Sequence, residues 1–463
     1  MIPLTAGELA TLAGGALDGL DPAARIPGPV VSDSRDVVPG AVFVAVRGER
    51  VDGHEYADQA FAAGAAALLA SRPVGGPAVL VDDTVAGLGR LAAGTLGRLP
   101  QAKIVGVTGS SGKTSTKDLL AQVLAAAGPT VAPAGSLNTE VGLPLTVLLA
   151  DEHTRYLALE YSARGVGHIA YLTTIARPDV AVVLNVGSAH LGEFGSRELI
   201  AQAKGELVEA LRPEGVAVLN GDDPLVAAMA ERTVARVVTV GLSPGCDVTA
   251  EQVRLDELAR PSFDVVVDGR RATVTMGLHG GHHVGNALAC VAAALAVGME
   301  LETVAERLSN ATAASRWRME VTRTAGGVTV INDAYNANPE SMGAALQALK
   351  AMAQGQRTWA VLGPMAELGD AADEQHETVG RLARQVGVDK VLAVGLGAAH
   401  IQRGAALEGS SPEESVLVPD IDAAVAVLQE QVRPGDVVLV KASRSAGLER
   451  VAAALIERLG AAT

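Results

Sequence analysis

Between Gly109 and Ser115 the chain reads GSSGKTS, and these residue types are those that hold a phosphate. Gly109, Ser110, Ser111 and Gly112 are small enough for successive backbone N–H groups to point inward, and a helix start adds its positive end. Lys113 supplies a point charge for the outer phosphates of ATP, and Thr114 a hydroxyl suited to Mg2+. The usual pattern places a glycine five residues before Gly112; this chain has Val107 there, with Gly106 and Gly109 the nearest glycines, so the loop is a variant. The apolar run before it and the apolar positions Leu119, Leu120, Val123 and Leu124 after it give the strand–loop–helix order the motif requires.

Other chemistry-bearing residues recur where apolar runs end. RYLALE ends on Glu160, DVAVVLN leads to Asn185 and His190, and GVAVLN leads to Asn220-Gly221-Asp222-Asp223. GVTVIN delivers Asp333 and DVVLVKAS delivers Lys441. Ligands of open α/β sheets bind beyond the carboxyl ends of the strands, so these residues are expected to converge. Taken singly, Glu160 reads as a capping or solvated carboxylate, His190 as a structural histidine, and Lys204 as a solvated helix lysine. Beside a nucleotide loop, Glu160 and His190 together point to a second metal site of mixed oxygen and nitrogen ligands. The chemistry predicted from residues alone is phosphoryl transfer from ATP, with the acceptor left open.

The elements that must position these residues follow from the patterning. At 463 residues the chain is expected to hold two to four domains. Short strands at Ala41–Val46, Ala66–Ala70 and Ala78–Val81, then a helix from Val85 capped by Thr84, form a first unit ending near residue 100. Strands and helices then alternate, predicting a parallel sheet covered on both faces. SFDVVVDGRRATVTM alternates about Asp268-Gly269 and reads as a hairpin, followed by a helix over Val284–Val297. The segment Ala311–Ser315 breaks the periodicity, and a second open α/β sheet is expected beyond it, with helices from Pro339, near Glu374 and from Gly447.

Composition narrows the class. A net charge of −15 argues against a nucleic-acid-binding surface. The start MIPLTAGELATLAGG lacks the features of a signal peptide, and no apolar run approaches the roughly 18 residues of a membrane span. Cys246 and Cys290 have neither ligand-like nor disulfide-like spacing, which suits a reducing compartment. The expectation is a cytoplasmic protein without membrane insertion.

The chain also resembles the Mur ligases of bacterial cell-wall synthesis over essentially its whole length. The resemblance rests on SDSRDVVPGAVFVAVRGERVDGHEY (Ser32–Tyr56), TGSSGKTSTK (Thr108–Lys117), NTEVGLPLTVL (Asn138–Leu148), EYSARGVGHI (Glu160–Ile169) and NVGSAHLGEFGS (Asn185–Ser196). It extends to AKGEL (Ala203–Leu207), HHVGNALA (His282–Ala289), SRWRMEV (Ser315–Val321), INDAYNANPESM (Ile331–Met342) and VKASRSAGLE (Val440–Glu449). What it implies is an α/β protein of three domains: a small N-terminal α/β UDP-sugar domain (1–100), a central P-loop mononucleotide-binding parallel sheet (101–314), and a C-terminal Rossmann-like α/β domain (315–463). The implied reaction is ATP-dependent ligation of D-alanyl-D-alanine to UDP-N-acetylmuramoyl-tripeptide through an acyl phosphate, by a monomer.

The resemblance also implies roles. Ser34 and Arg35 would face the uridine nucleotide, and Asn138, Thr139 and Glu140 the substrate. Gly109 to Ser115 would bind ATP, with Asn286 at the adenine. Thr114 would hold one Mg2+, and Glu160 and His190 a second. Lys204 matches a lysine that the family carbamylates with CO2, which reverses its reading as a solvated side chain. Arg316, Asp333, Tyr335 and Asn336 would reach ATP or the incoming amine from the third domain. Thr139, Tyr161, Ser162, His283, Pro364 and Ala442 depart from the family pattern; Lys113 and the implied metal ligands do not. The alternatives are the ligase that adds the third amino acid, a folylpolyglutamate synthase, and a P-loop switch or kinase. The first calls for an Asp-Asn-Pro-Arg string absent here, the second lacks the DSR-bearing domain, and the third leaves the outer motifs unexplained.

Overall fold

The computed structural model describes residues 2–48, 51–133, 135–188 and 191–460. Three main sheets follow one another along the chain. In the first, the strands Val30–Val31, Val42–Val44, Ala67–Ala70 and Ala78–Leu80 are parallel, and Ala16–Asp18 pairs antiparallel at the edge. The helix Thr84–Leu96 closes this unit. Its cap is Asp83 rather than the expected Thr84: the Asp83 carboxylate accepts the Ala86 N–H at 2.8 Å, and Thr84 is already helical. A cap must sit one residue outside the helix with its oxygen facing inward, a difference the periodicity of apolar residues does not resolve.

The central sheet has nine strands, in the order 270–275, 261–267, 248–255, 236–241, 216–220, 180–183, 103–108, 156–160 and 130–131. From Thr130–Val131 to Val248–Leu255 they run parallel, and the inner strands 103–108, 156–160, 180–183 and 216–220 are the near-continuous apolar, buried runs expected of such a sheet. The hairpin Pro261–Val267 and Arg270–Thr275 turns on Asp268 and Gly269, both at positive φ, and continues this sheet antiparallel. The sheet is therefore mixed at one edge. The strand order reverses beside Lys103–Thr108, which puts the phosphate loop at the switch point where such sheets bind ligands.

The third sheet runs 320–323, 329–332, 437–441, 358–362, 390–394 and 415–418, parallel apart from the first hairpin. Because the last strand inserts between Thr329–Asn332 and Thr358–Leu362, Asp333 and Lys441 leave adjacent strand ends.

The cores divide unevenly. Leu88, Leu91 and Ala92 of the first unit share one apolar cluster with Leu143, Val147 and Leu172 of the central unit. The C-terminal sheet has its own two clusters, to which Ala259 is the central unit's contribution among the described residues.

Candidate active site

A cleft of about 660 Å³ lies between the central and C-terminal units, and Ser110 to Ser115 form part of its wall. Gly112 adopts φ +80°, and a Cβ there would lie 2.8 Å from Asn286 Oδ1, so both the backbone and the approach of the helix His283–Ala296 demand glycine. Asn185, at the end of the neighbouring strand, braces the loop: its Oδ1 accepts the Ser111 N–H at 2.9 Å, and its carbonyl accepts the Ser110 N–H at 3.0 Å. Lys113 folds back, its Nζ donating to the Gly109 carbonyl at 2.7 Å. Burial pulls its pKa below the usual lysine range, with Glu160 pulling the other way.

Glu160 is 2% exposed, which overturns its reading as a solvated carboxylate. Its Oε2 accepts the Thr114 hydroxyl at 2.9 Å and its Oε1 the Asn138 amide at 2.6 Å. Among the described residues it has no ion-pair partner. A buried carboxylate with only neutral donors is electrostatically suited to a cation, and a carboxylate plus a hydroxyl, completed by phosphate oxygens, is what Mg2+ takes. His190 lies outside the described residues. Among those described, no cluster of three or more His, Cys, Asp or Glu gathers to hold a metal.

Lys204 is 4% exposed, so the solvated reading fails here too. It does not line the cleft, and no described residue hydrogen-bonds or pairs with its amine. Burial, assisted by the charge of Lys113, holds its pKa well below the usual lysine range and favours the neutral amine.

The C-terminal unit faces this array. Asp333 Oδ2 pairs with Lys441 Nζ at 2.6 Å, and its Oδ1 accepts the Met319 N–H at 3.1 Å. Lys441 also donates to the Asn336 carbonyl at 2.8 Å, fixing the turn that presents Tyr335. Polar contacts cross the cleft. The Tyr335 and Ser136 hydroxyls lie 2.5 Å apart, Asn338 Nδ2 donates to the Ser110 carbonyl at 3.3 Å, and Glu340 accepts the Ser188 N–H at 2.8 Å.

The arginine that enters the cleft is Arg318. Its Nη2 donates to Thr114 Oγ1 at 3.0 Å, and its guanidinium stacks 4.2 Å from the Tyr335 ring centroid. Arg316 does not line the cleft; its guanidinium lies 5.9 Å from the Trp317 ring centroid. Trp317 and Met319 both have positive φ, and these reversals aim the arginine between them inward. The string SRWRME contains both candidates, and only that local backbone chooses between them.

The cleft brings together Ser110 to Ser115, Asn138, Thr139, Glu160, Asn286, Asp333, Tyr335 and Asn336. Gly109, Glu140, Ser34 and Arg35 are outside its lining. Ser34 donates to Gln59 at 3.3 Å on the N-terminal unit, and Arg35 pairs with Asp33, whose carboxyl is drawn down to about 2 chiefly by the guanidinium. Two departures from the family pattern have packing explanations. Tyr161 is buried, donates to the Ala176 carbonyl at 2.5 Å, and fills space that a Cβ on Gly106 would need. His283 is buried and held neutral, chiefly by burial.

Comparison with known proteins agrees with this architecture. Residues 30–86 match the Mur ligase family catalytic domain, 107–294 the Mur ligase middle domain, and 317–444 the Mur ligase glutamate ligase domain. The chain belongs to the Mur ligase family. Within the family its similarity is to UDP-N-acetylmuramoyl-tripeptide–D-alanyl-D-alanine ligase, MurF: the Mycobacterium tuberculosis protein of that name is 48% identical over 98% of both chains. A crystal structure of MurF from Acinetobacter baumannii superposes with a TM-score of 0.89 at 32% identity, covering 98% of this chain and 99% of the other. The MurF ligase from Thermotoga maritima in complex with ADP gives 0.82 at 33% identity, covering 94% and 98%.

Proposed function

We propose that this chain joins D-alanyl-D-alanine to UDP-N-acetylmuramoyl-tripeptide with hydrolysis of ATP to ADP and phosphate, acting as a cytoplasmic monomer. Among the described residues no helix is long and apolar enough to cross a membrane. The observation that carries the reading is the meeting, in one cleft, of the phosphate loop with the Asp333–Asn338 segment of the C-terminal unit. In this reading domain 1–100 holds the UDP-sugar through Ser34 and Arg35, 101–314 binds ATP, and 315–463 presents the dipeptide.

The tripeptide carboxylate attacks the γ-phosphorus, and Lys113 and Arg318 spread the charge that develops on the transferring group. The amine of the dipeptide then attacks the acyl phosphate carbonyl, and phosphate leaves. Asp333, held by Lys441, lies on the side from which the amine arrives. The contacts at Tyr335, Asn338 and Glu340 hold the two units together and keep water from the acyl phosphate. Thr114 and Glu160, with His190, would hold Mg2+, which when bound offsets charge on the phosphate oxygens. Lys204, whose burial favours the neutral amine and which has no partner among the described residues, is suited to react with CO2, and the carbamate would supply hard oxygens to a cation.

The test is a coupled assay with purified protein, ATP and Mg2+. ADP and phosphate should be released in sustained turnover only when both the UDP-tripeptide and D-alanyl-D-alanine are present. Rapid turnover with neither would favour an NTPase.

A further inference from the structure

We propose that Lys117 is a positioning residue for Glu160, acting through the segment that begins at Pro133 and carries Asn138. Lys117 lies in the helix Lys113–Leu124, three residues beyond Thr114, and is 1% exposed. Its Nζ donates to the Asp118 carboxylate and, at 2.6 Å, to the Pro133 carbonyl. Burying an ion pair seldom stabilises a fold beyond what apolar side chains of the same volume would achieve, so stability alone is a poor reason for this arrangement.

What the pair does is anchor a segment that the sheet does not. The strand before it, Thr130–Val131, pairs over two residues at the edge of the sheet. Beyond Pro133 the chain reaches Asn138, whose Nδ2 donates to Glu160 Oε1 at 2.6 Å, while Glu160 Oε2 accepts from Thr114 at 2.9 Å. The Asn138 carbonyl accepts the Ser162 N–H at 3.2 Å. These contacts, joined by the chain that runs from Pro133 to Asn138, start and end on one helix: Thr114, Glu160, Asn138, Pro133, Lys117. A rigid helix thus sets both oxygens of a buried carboxylate, one directly through Thr114 and one at a distance through Lys117.

The inference rests on the ligase reading for its kinetic test. Because Lys117→Met alone would strand the Asp118 charge in the interior, the informative variant is Lys117→Met/Asp118→Asn, with Asp118→Asn as control. The double variant should melt as a folded protein, keep its ATP KM, and need about tenfold more Mg2+ for half-maximal turnover, as loss of an outer-shell partner does. Amides of residues 135–141 should exchange hydrogen faster in it than in the parent chain. Asp118→Asn should resemble the parent in both respects, because the Pro133 contact survives. Asn138→Ala, at a position on the cleft wall, should raise the Mg2+ requirement by a similar factor. Adding it to the double variant should add little further, since both act on one carboxylate. A normal Mg2+ requirement in Asn138→Ala, or parent-like exchange in a folded double variant, overturns the proposal, and the first of these decides even if the double variant does not fold. Failure of the parent chain to ligate would instead overturn the functional reading, with the exchange measurement still judging the positioning role.

Discussion

Arg316 and Arg318 are chemically identical and two positions apart, yet one meets Trp317 and the other Thr114. Arg318 reaches the hydroxyl beside the phosphate loop, where a guanidinium can stabilise charge that grows during transfer. Arg318→Ala should lower kcat by about 100-fold, and Arg316→Ala should change it by less than about threefold, in steady-state ligation assays. Comparable losses in both would show that the site closes further than the cleft described here. At Lys204 the expected outcome is chemical. Isotopically labelled bicarbonate should give a carbamate carbon signal in the parent chain that is absent in Lys204→Ala. The variant should lose most activity and regain part of it with a short-chain carboxylate in the buffer. Equal spectra from the two proteins would remove the carbamate.

Elements explain why so much of this was visible in advance. Buried parallel strands are read from continuous apolar runs, and the Asp268-Gly269 hairpin from alternation about a turn that requires positive φ. Caps and sheet edges were less legible. Asp83 and Thr84 are both good caps, and nothing in the pattern says that the hairpin joins the central sheet. Gly112 is where element geometry meets function. Gly112→Ala should destabilise the protein by about 1–2 kcal/mol in chemical denaturation, the cost of a left-handed alanine. Because the new Cβ would also press on Asn286, ATP affinity measured by calorimetry should fall at least about tenfold, a loss of about 1.4 kcal/mol. Unchanged ATP affinity would place the nucleotide elsewhere.

On the scale of the whole molecule, the N-terminal and central units share an apolar core, and separating them would expose it to water. Apart from Ala259, which joins its apolar cluster, the C-terminal unit meets the central unit through polar contacts and a close backbone approach among the described residues. A Cβ on Gly192 would lie 2.3 Å from Gly369 N, and Gly192 N–H donates to the Glu367 carbonyl at 3.2 Å. Such contacts re-form in water more readily than a core does, so this interface is the one suited to opening and closing. Gly192→Ala should keep the units apart. Scattering should give a larger radius of gyration, ATP affinity should hold, and kcat should fall by about tenfold or more, because alignment of amine and acyl phosphate depends on closure. Normal kcat with an unchanged radius would show that the contact yields easily.

By itself the sequence determined the phosphate loop, the alternation of strands and helices in three successive units, and the strand ends from which Glu160 and Asp333 project. These are local properties, set by residue type and period along a single element. Tertiary structure alone decided that Glu160 and Lys204 are buried, that Arg318 rather than Arg316 faces the cleft, and that Lys441 holds Asp333. Each of those depends on which distant segments pack together. Lys204 looks like any surface lysine until the helix that carries it is laid on the sheet, where burial and the charge of Lys113 act on it. Desolvation and charge proximity are properties of three-dimensional neighbours, and a linear pattern does not encode them until the chain has folded.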